Sequence, residues 1–365
     1  MSLVEKVIRP EVRALSAYPV PDAKGFVKLD SMENPYTLSP ALRAELAQRL
    51  AQVDVNRYPV PSYSALKDAI AKHFDVPQGY GLILGNGSDE LISMLSIACA
   101  QPGARMLAPV PSFVMYAISA KLAGMEFIGV ALRADFTLDK AAMLAAITAH
   151  QPAMTYLSYP NNPTGTLFET ADVEDIIRAV GDTGIVIVDE AYQPFAQRSF
   201  MSRLPEFPNL IVMRTVSKLG MAGIRLGYMS AAPELLAEIE KVRPPYNINV
   251  LTETAALCLL EHAEEFDAQA AQLRALRSEL SSQLAALPGV EVFPSAANFL
   301  LVRLTAQDKN EAYGNEVFTK LCEQKILVKN VGRMHDLLRN CLRINVSTAE
   351  ENAVLLNALT LALKS

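Results

Sequence analysis

The most chemically pointed feature of the sequence is a lysine just beyond an apolar run: Lys218, with Ser217 before it and Arg225 seven residues after it. The run Leu210-Ile211-Val212-Met213 reads as a buried strand, and the stretch after Lys218 is built of small residues. An amine partly desolvated among apolar neighbours and near another cation loses basicity, which frees it to condense with a carbonyl. Ser217 and Arg225 could hold a phosphate on the molecule that carries that carbonyl. One lysine at a loop is more simply a surface residue, so the reading needs support from elsewhere in the chain.

Three further stretches carry chemistry-bearing residues at strand ends. Gly85-Asn86-Gly87-Ser88-Asp89 joins a strand to a helix and offers free backbone N–H groups, a hydroxyl and the positive end of a helix dipole, which suit a phosphate. Glu90 stands where a dinucleotide fingerprint has its third glycine, and a plain capped turn explains the stretch equally well. Asn161-Asn162-Pro163-Thr164-Gly165 follows another strand. The Pro-Gly part is an ordinary turn, and the paired asparagines are extra. One of them could donate to a ring oxygen. Ile185-Val186-Ile187-Val188-Asp189-Glu190-Ala191-Tyr192 puts two carboxylates at a strand end; Asp189 could bind magnesium or face a protonated heterocyclic nitrogen. The chain lacks the G-x-x-x-x-G-K-[ST] loop of nucleotide hydrolases. Ser64-Ala65-Leu66-Lys67 has the S-x-x-K spacing of serine acyl enzymes but neither companion motif, and reads as a helix surface.

Short apolar strands alternating with helical stretches from Leu82 onward predict an α/β core with a largely parallel sheet. Strands are expected at Leu82–Leu84, Met106–Ala108, Phe127–Ala131, Met154–Ser158, Ile185–Val188, Leu210–Met213 and Tyr228-Met229. Ser39-Pro40 opens an early helix. A helical tract from Leu251 to Leu287, expected to be continuous, leads to more strands and helices that make a smaller α+β domain. The expected division is an arm with part of the small domain over 1–40, a large domain over 41–270 and a small domain over 271–365.

The 365 residues carry 33 basic and 39 acidic side chains, a net charge of −6 that argues against a general nucleic-acid or anionic-membrane surface. Four dispersed cysteines and four dispersed histidines form neither a disulfide framework nor a zinc pattern. The charged start of the chain and the lack of a long apolar run predict a cytoplasmic protein.

The lysine after its strand, the Asp and Tyr at a neighbouring strand end, the Asn-Pro-Thr-Gly loop and the glycine-containing helix start, in this order, resemble the pyridoxal-phosphate aminotransferases of fold type I. Glu33-Asn34-Pro35-Tyr36, Asn56-Arg57-Tyr58-Pro59, Arg214-Thr215-Val216-Ser217-Lys218 and Cys341-Leu342-Arg343-Ile344 extend the likeness to the histidinol-phosphate aminotransferases. The resemblance implies that Lys218 holds pyridoxal 5'-phosphate as a Schiff base and shuttles the substrate's α-proton, while Asp189 keeps the pyridine nitrogen protonated. It further implies that Tyr192 and Asn162 bond the ring oxygen and that Phe113 stacks on the ring. Gly87, Ser88, Asp89, Ser217 and Arg225 would take the phosphate, with Tyr58 reaching in from the second subunit of a homodimer. Arg343 would clamp the substrate anion, a carboxylate or a phosphate ester in turn, with Lys329 beside it and Tyr18 and Asn34 closing the pocket.

The chain departs from the family pattern in several places. Met32 precedes Glu33 where Asn is usual, Thr37 follows Tyr36 where Gly is common, Phe113 stands where Tyr is frequent, and Lys329 where a second Arg is frequent. The Lys218 to Arg225 spacing is one residue shorter than the commoner form. The expected activity is transamination between histidinol phosphate and 2-oxoglutarate. An aromatic or broad-specificity aminotransferase, a phosphothreonine-type decarboxylase and a non-catalytic cofactor-binding protein are the alternatives.

Overall fold

The computed structural model describes residues 2–17, 20–305 and 312–364. Its strands are β1 (Val27–Leu29), β2 (Ile83–Asn86), β3 (Arg105–Val110), β4 (Glu126–Ala131), β5 (Met154–Ser158) and β6 (Ile185–Asp189), then β7 (Leu210–Thr215), β8 (Leu226–Ala231), β9 (Val290–Val292), β10 (Phe299–Leu304), β11 (Ile326–Asn330) and β12 (Cys341–Asn345). They form two sheets, one of seven strands in the order β2-β8-β7-β6-β5-β3-β4 and one of five in the order β1-β11-β12-β10-β9.

In the larger sheet β8 runs antiparallel to both of its neighbours, and the remaining pairings are parallel. Strands β5, β7 and β8 are buried along their whole length, as their unbroken apolar runs require when helices cover both faces. Alternation divides β6 and β7 between two cores. Val186, Val188 and Val212 face the larger one, while Ile187, Ile211 and Met213 face a smaller one with Leu91, Leu95 and Tyr116. Asp189, two residues after Ile187, therefore emerges on the face covered by the helices Ser88–Cys99 and Met115–Ala123. Parallel strands that end at one edge also bring Ser158, Asp189 and Thr215 together there, which is where such sheets collect ligands.

The smaller sheet takes its edge strand from the start of the chain: β1 pairs parallel with β11, whereas the other pairings are antiparallel. This pairing draws the following segment, residues 30–34, across from the small sheet to the end of the large one.

The continuous tract expected from Leu251 to Leu287 is two helices, Val250–Leu260 and Ala263–Ala285. No Gly or Pro marks the break. His262 leaves helical geometry at φ −117°, and the turn aims its side chain and that of Glu261 at the helix Pro40–Leu50: His262 Nε2 lies 2.9 Å from Glu45, and Arg49 Nη1 donates to Glu261 at 2.9 Å. Ser39 caps that same helix and both its N–H and hydroxyl are taken by Glu265, at 2.9 and 2.8 Å.

Candidate active site

Lys218 sits in a wide π-helical turn, Ser217–Met221, directly after β7. The turn needs Gly220, whose φ is +139°: a Cβ there would stand 2.9 Å from the Phe266 ring and 3.0 Å from Asn34 Nδ2. A short 3-10 turn follows, and Arg225 then adopts a left-handed conformation, φ +55°, before β8. Despite the shortened spacing, Arg225 folds back to place Nη1 3.4 Å from Ser217 Oγ.

The turn opens into a cavity of about 390 Å³ that is also lined by Ser88, Asp89, Phe113, Asn162, Asp189, Tyr192, Ser217 and Arg225. Lys218 Nζ donates to the Ser31 carbonyl at 2.9 Å. Burial lowers its pKa from 10.5 to about 8; the Arg343 and Arg225 cations push the same way, and Glu33 opposes them. Asp189 is 4% exposed. Burial raises its pKa from 3.8 to about 6, with help from the Asp89 and Glu190 carboxylates, against hydrogen bonds from Tyr116 Oη to Oδ2 at 2.7 Å and from the Ala191 amide to Oδ1 at 3.1 Å. Tyr192 is buried too, which holds its hydroxyl protonated, and that hydroxyl accepts from Asn162 Nδ2 at 3.0 Å.

The two asparagines have separate work. Asn161 is wholly enclosed and spends its side chain on the loop, donating to the Pro111 carbonyl and Thr164 Oγ1 and accepting from Ser112. Asn162 alone of the pair faces the cavity. Likewise Glu190 turns away from Asp189 and forms a buried ion pair with Arg214 at 2.8 Å. Both Glu190 and Arg214 serve the fold.

At the opposite corner the helix Ser88–Cys99 begins with Gly87 and has no side-chain cap, so its first-turn N–H groups point into the cavity unshared with a capping residue. Gly87 has φ +77°, and a Cβ there would come 2.5 Å from Arg225 Nη2. Asp89 Oδ1 is buried without a hydrogen-bond partner, while Asp89 Oδ2 lies 4.0 Å from Arg225 Nη2. Uncapped amides, a hydroxyl and a guanidinium around a glycine form a donor set that fits a phosphate. An enclosed carboxylate lining the same cavity fits a protonated ring nitrogen, and a lysine of lowered pKa lining it fits an aldehyde.

Arg343 and Lys329 are paired across β11 and β12 and line an adjoining cavity of about 190 Å³, which shares Phe113, Asn162, Ser31 and Met32 with the first. Arg343 donates to Asn162 Oδ1 and to the Asp30 carbonyl, each at 2.6 Å. Asn34 is not brought to the cavity. Its amide donates to the Leu219 carbonyl and to Gln269, and its oxygen accepts from Tyr36 N, so it braces the lysine turn from behind. Tyr58 is 80% exposed and stacks on Tyr246, in a surface hollow apart from this cavity. Tyr18 lies outside the described residues. The contacts absent from the sequence reading are Tyr116 and the Ser31 carbonyl. Tyr116 lies on the helix Met115–Ala123, three residues after Phe113 and outside every motif, and its ring meets Phe113 edge-on. Among the described residues no acidic, His or Cys cluster could hold a metal, and no helix is long and apolar enough to cross a membrane.

Residues 24–359 match the family model for aminotransferase class I and II. The chain is 59% identical to histidinol-phosphate aminotransferase 2 of Cupriavidus pinatubonensis, covering all of this chain and 98% of that protein. It is 57% identical to histidinol-phosphate aminotransferase 1 of Ralstonia nicotianae, over 99% of this chain and 96% of the relative. Among solved structures, histidinol-phosphate aminotransferase of Sinorhizobium meliloti in complex with pyridoxal-5'-phosphate superposes with a TM-score of 0.86 over 98% of both chains, at 22% identity, a likeness of fold.

Proposed function

The chain belongs to the class I and II aminotransferases, and from that premise we propose that it exchanges amino and keto groups between L-histidinol phosphate and 2-oxoglutarate, with pyridoxal phosphate as cofactor, in histidine biosynthesis. Full-length relatives at 57–59% identity support the substrate. The observation that carries the chemistry is a single cavity in which Lys218, with its pKa lowered to about 8, is enclosed together with Asp189 and the Ser217–Arg225 corner.

When bound, the cofactor supplies an electron sink that stabilises charge at the substrate's α-carbon. Lys218 Nζ, its basicity lowered by burial and by the Arg343 and Arg225 cations, would take and return the α-proton. Asp189 would hold a proton on the ring nitrogen, Tyr192 and Asn162 would hold the ring oxygen, and Phe113 would cover the ring. Ser88, the Asp89 backbone N–H, Ser217 and Arg225 would hold the phosphate. Arg343 binds the substrate anion with Lys329 beside it, alternately the phosphate ester and the glutamate carboxylate, since a guanidinium fork matches both.

The same reading takes the unit to be a cytoplasmic homodimer with a large domain over 41–270 and a small one over 271–365. The exposed Tyr58 of each chain would then complete the phosphate corner of the other; its position outside its own chain's cavity supports this. Steady-state transamination tests the substrate. Histidinol phosphate should exceed phenylalanine as donor by at least about tenfold in kcat/KM, because a phosphate held by the Arg343 fork keeps a third oxygen for Lys329 whereas a carboxylate does not. Equal or better turnover of phenylalanine would overturn the reading.

A further inference from the structure

We propose that Tyr116 is a positioning residue for Asp189: it fixes the orientation of the carboxylate and holds it as the anion that faces the cofactor's ring nitrogen. The inference rests on the cofactor reading above and adds to it a residue that does not touch the cavity.

Two donors grip Asp189 from different elements, Tyr116 Oη on Oδ2 at 2.7 Å from the helix Met115–Ala123, and the Ala191 amide on Oδ1 at 3.1 Å from the turn after β6. A carboxylate held at both oxygens cannot rotate without losing one of the bonds, and each oxygen retains a lone pair for a further donor. Tyr116 cannot yield either. It is 1% exposed, its ring stacks on Tyr156 at 4.3 Å and 15°, and it meets Phe113 edge-on at 5.6 Å and 86°. One side chain therefore braces both Asp189 and the ring expected to cover the cofactor.

The charges around Asp189 give this bond its consequence. Burial and the Asp89 and Glu190 carboxylates all disfavour its anion, and Tyr192 and Tyr156 face it as neutral phenols. Tyr116 and the Ala191 amide are the groups that favour the anion, and the Tyr116 phenol, with its own pKa pushed far up by burial, remains a donor. Without the Tyr116 hydroxyl, Asp189 becomes the stronger base, and the shared proton moves from the ring nitrogen to the carboxylate oxygen. Tyr156 supplies an internal control, because its hydroxyl is buried with no hydrogen-bond partner.

The test uses pyridoxal phosphate isotopically labelled at the ring nitrogen, bound to the wild-type, Y116F and Y156F proteins, with the nitrogen chemical shift and the cofactor dissociation constant as readouts. The wild type should give a protonated nitrogen. In Y116F the signal should move toward neutral pyridine and the dissociation constant should rise about 10- to 100-fold, the worth of a hydrogen bond to a charged group, while Y156F changes neither. An unmoved signal in folded Y116F, or equal movement in Y156F, overturns the proposal. A p-aminophenylalanine at position 116 keeps the shape and donates more weakly, so it should move the signal part of the way toward neutral pyridine. If Y116F fails to fold, this variant decides the matter, and an unmoved signal in it overturns the proposal. A wild-type protein whose bound cofactor gives an unprotonated nitrogen contradicts the cofactor reading itself.

Discussion

Arg343 Nη1 lies 2.6 Å from Asn162 Oδ1 and donates to it, while the Nδ2 of the same asparagine donates to Tyr192 Oη at 3.0 Å. The residue expected to bind the substrate anion and the residue expected to hold the cofactor ring are thus linked through one amide. Substrate arriving at Arg343 must compete with Asn162 and with the Asp30 carbonyl, so binding at one cavity is felt at the wall of the other.

Replacing Asn162 with Ala removes both bonds at once. About 2–3 kcal/mol of transition-state stabilisation should be lost, near 100-fold in kcat/KM, with KM rising for both the amino donor and the keto acceptor. Steady-state kinetics with each substrate varied in turn measures this. A change in kcat alone would mean that the amide does not act through Arg343.

Gly220→Ala should destabilise the fold by about 2–4 kcal/mol, since a positive φ and two close contacts, to Phe266 and Asn34, coincide there. Denaturant unfolding reads the loss. Cofactor retention should fall with it, because the displaced turn is the one that carries Lys218.

The lowered pKa of Lys218 has a definite sign. Between pH 8 and its ordinary value of 10.5 the folded state binds fewer protons than the unfolded state, so this group's contribution to stability rises with pH across that window. Reactivity gives the cleaner readout. Labelling of the cofactor-free protein at Lys218 by a small aldehyde with reductant should rise through a midpoint near pH 8. A midpoint above pH 10 would show the amine to be unperturbed.

Asp189 acts in the opposite direction. Its folded value of about 6 lies above the ordinary 3.8, so the folded state holds the extra proton, and the stability of the cofactor-free protein should fall as pH rises from about 4 to about 6. The rise from 3.8 to about 6 corresponds to about 3 kcal/mol. Urea unfolding of wild type against Asp189→Asn across that range isolates the term, and parallel pH profiles would refute it.

The residues at strand ends were legible in the sequence because a parallel sheet delivers them to one edge: Lys218, Asp189, Tyr192 and Asn162 all follow apolar runs, and the structure brings them into one cavity. The helix break at Glu261-His262 was not legible, since it is marked by side-chain contacts with Glu45 and Arg49 and no turn residue announces it. Tyr116 was hidden on an apolar helix face, where a tyrosine reads as core. Asn34 sits next to Glu33 at the cavity, yet its amide turns to the Gly220 turn. Sequence proximity to a site does not reveal which way a side chain faces. The Ser31 carbonyl, a backbone atom, leaves no trace in residue types.

The account turns on Lys218 as the residue that holds the cofactor. Borohydride reduction of the pyridoxal-phosphate-loaded protein, followed by peptide mass mapping, tests this directly. The pyridoxyl group should be found on Lys218 and be lost in Lys218→Ala. A label on another lysine, or an undiminished label in that variant, would contradict the account.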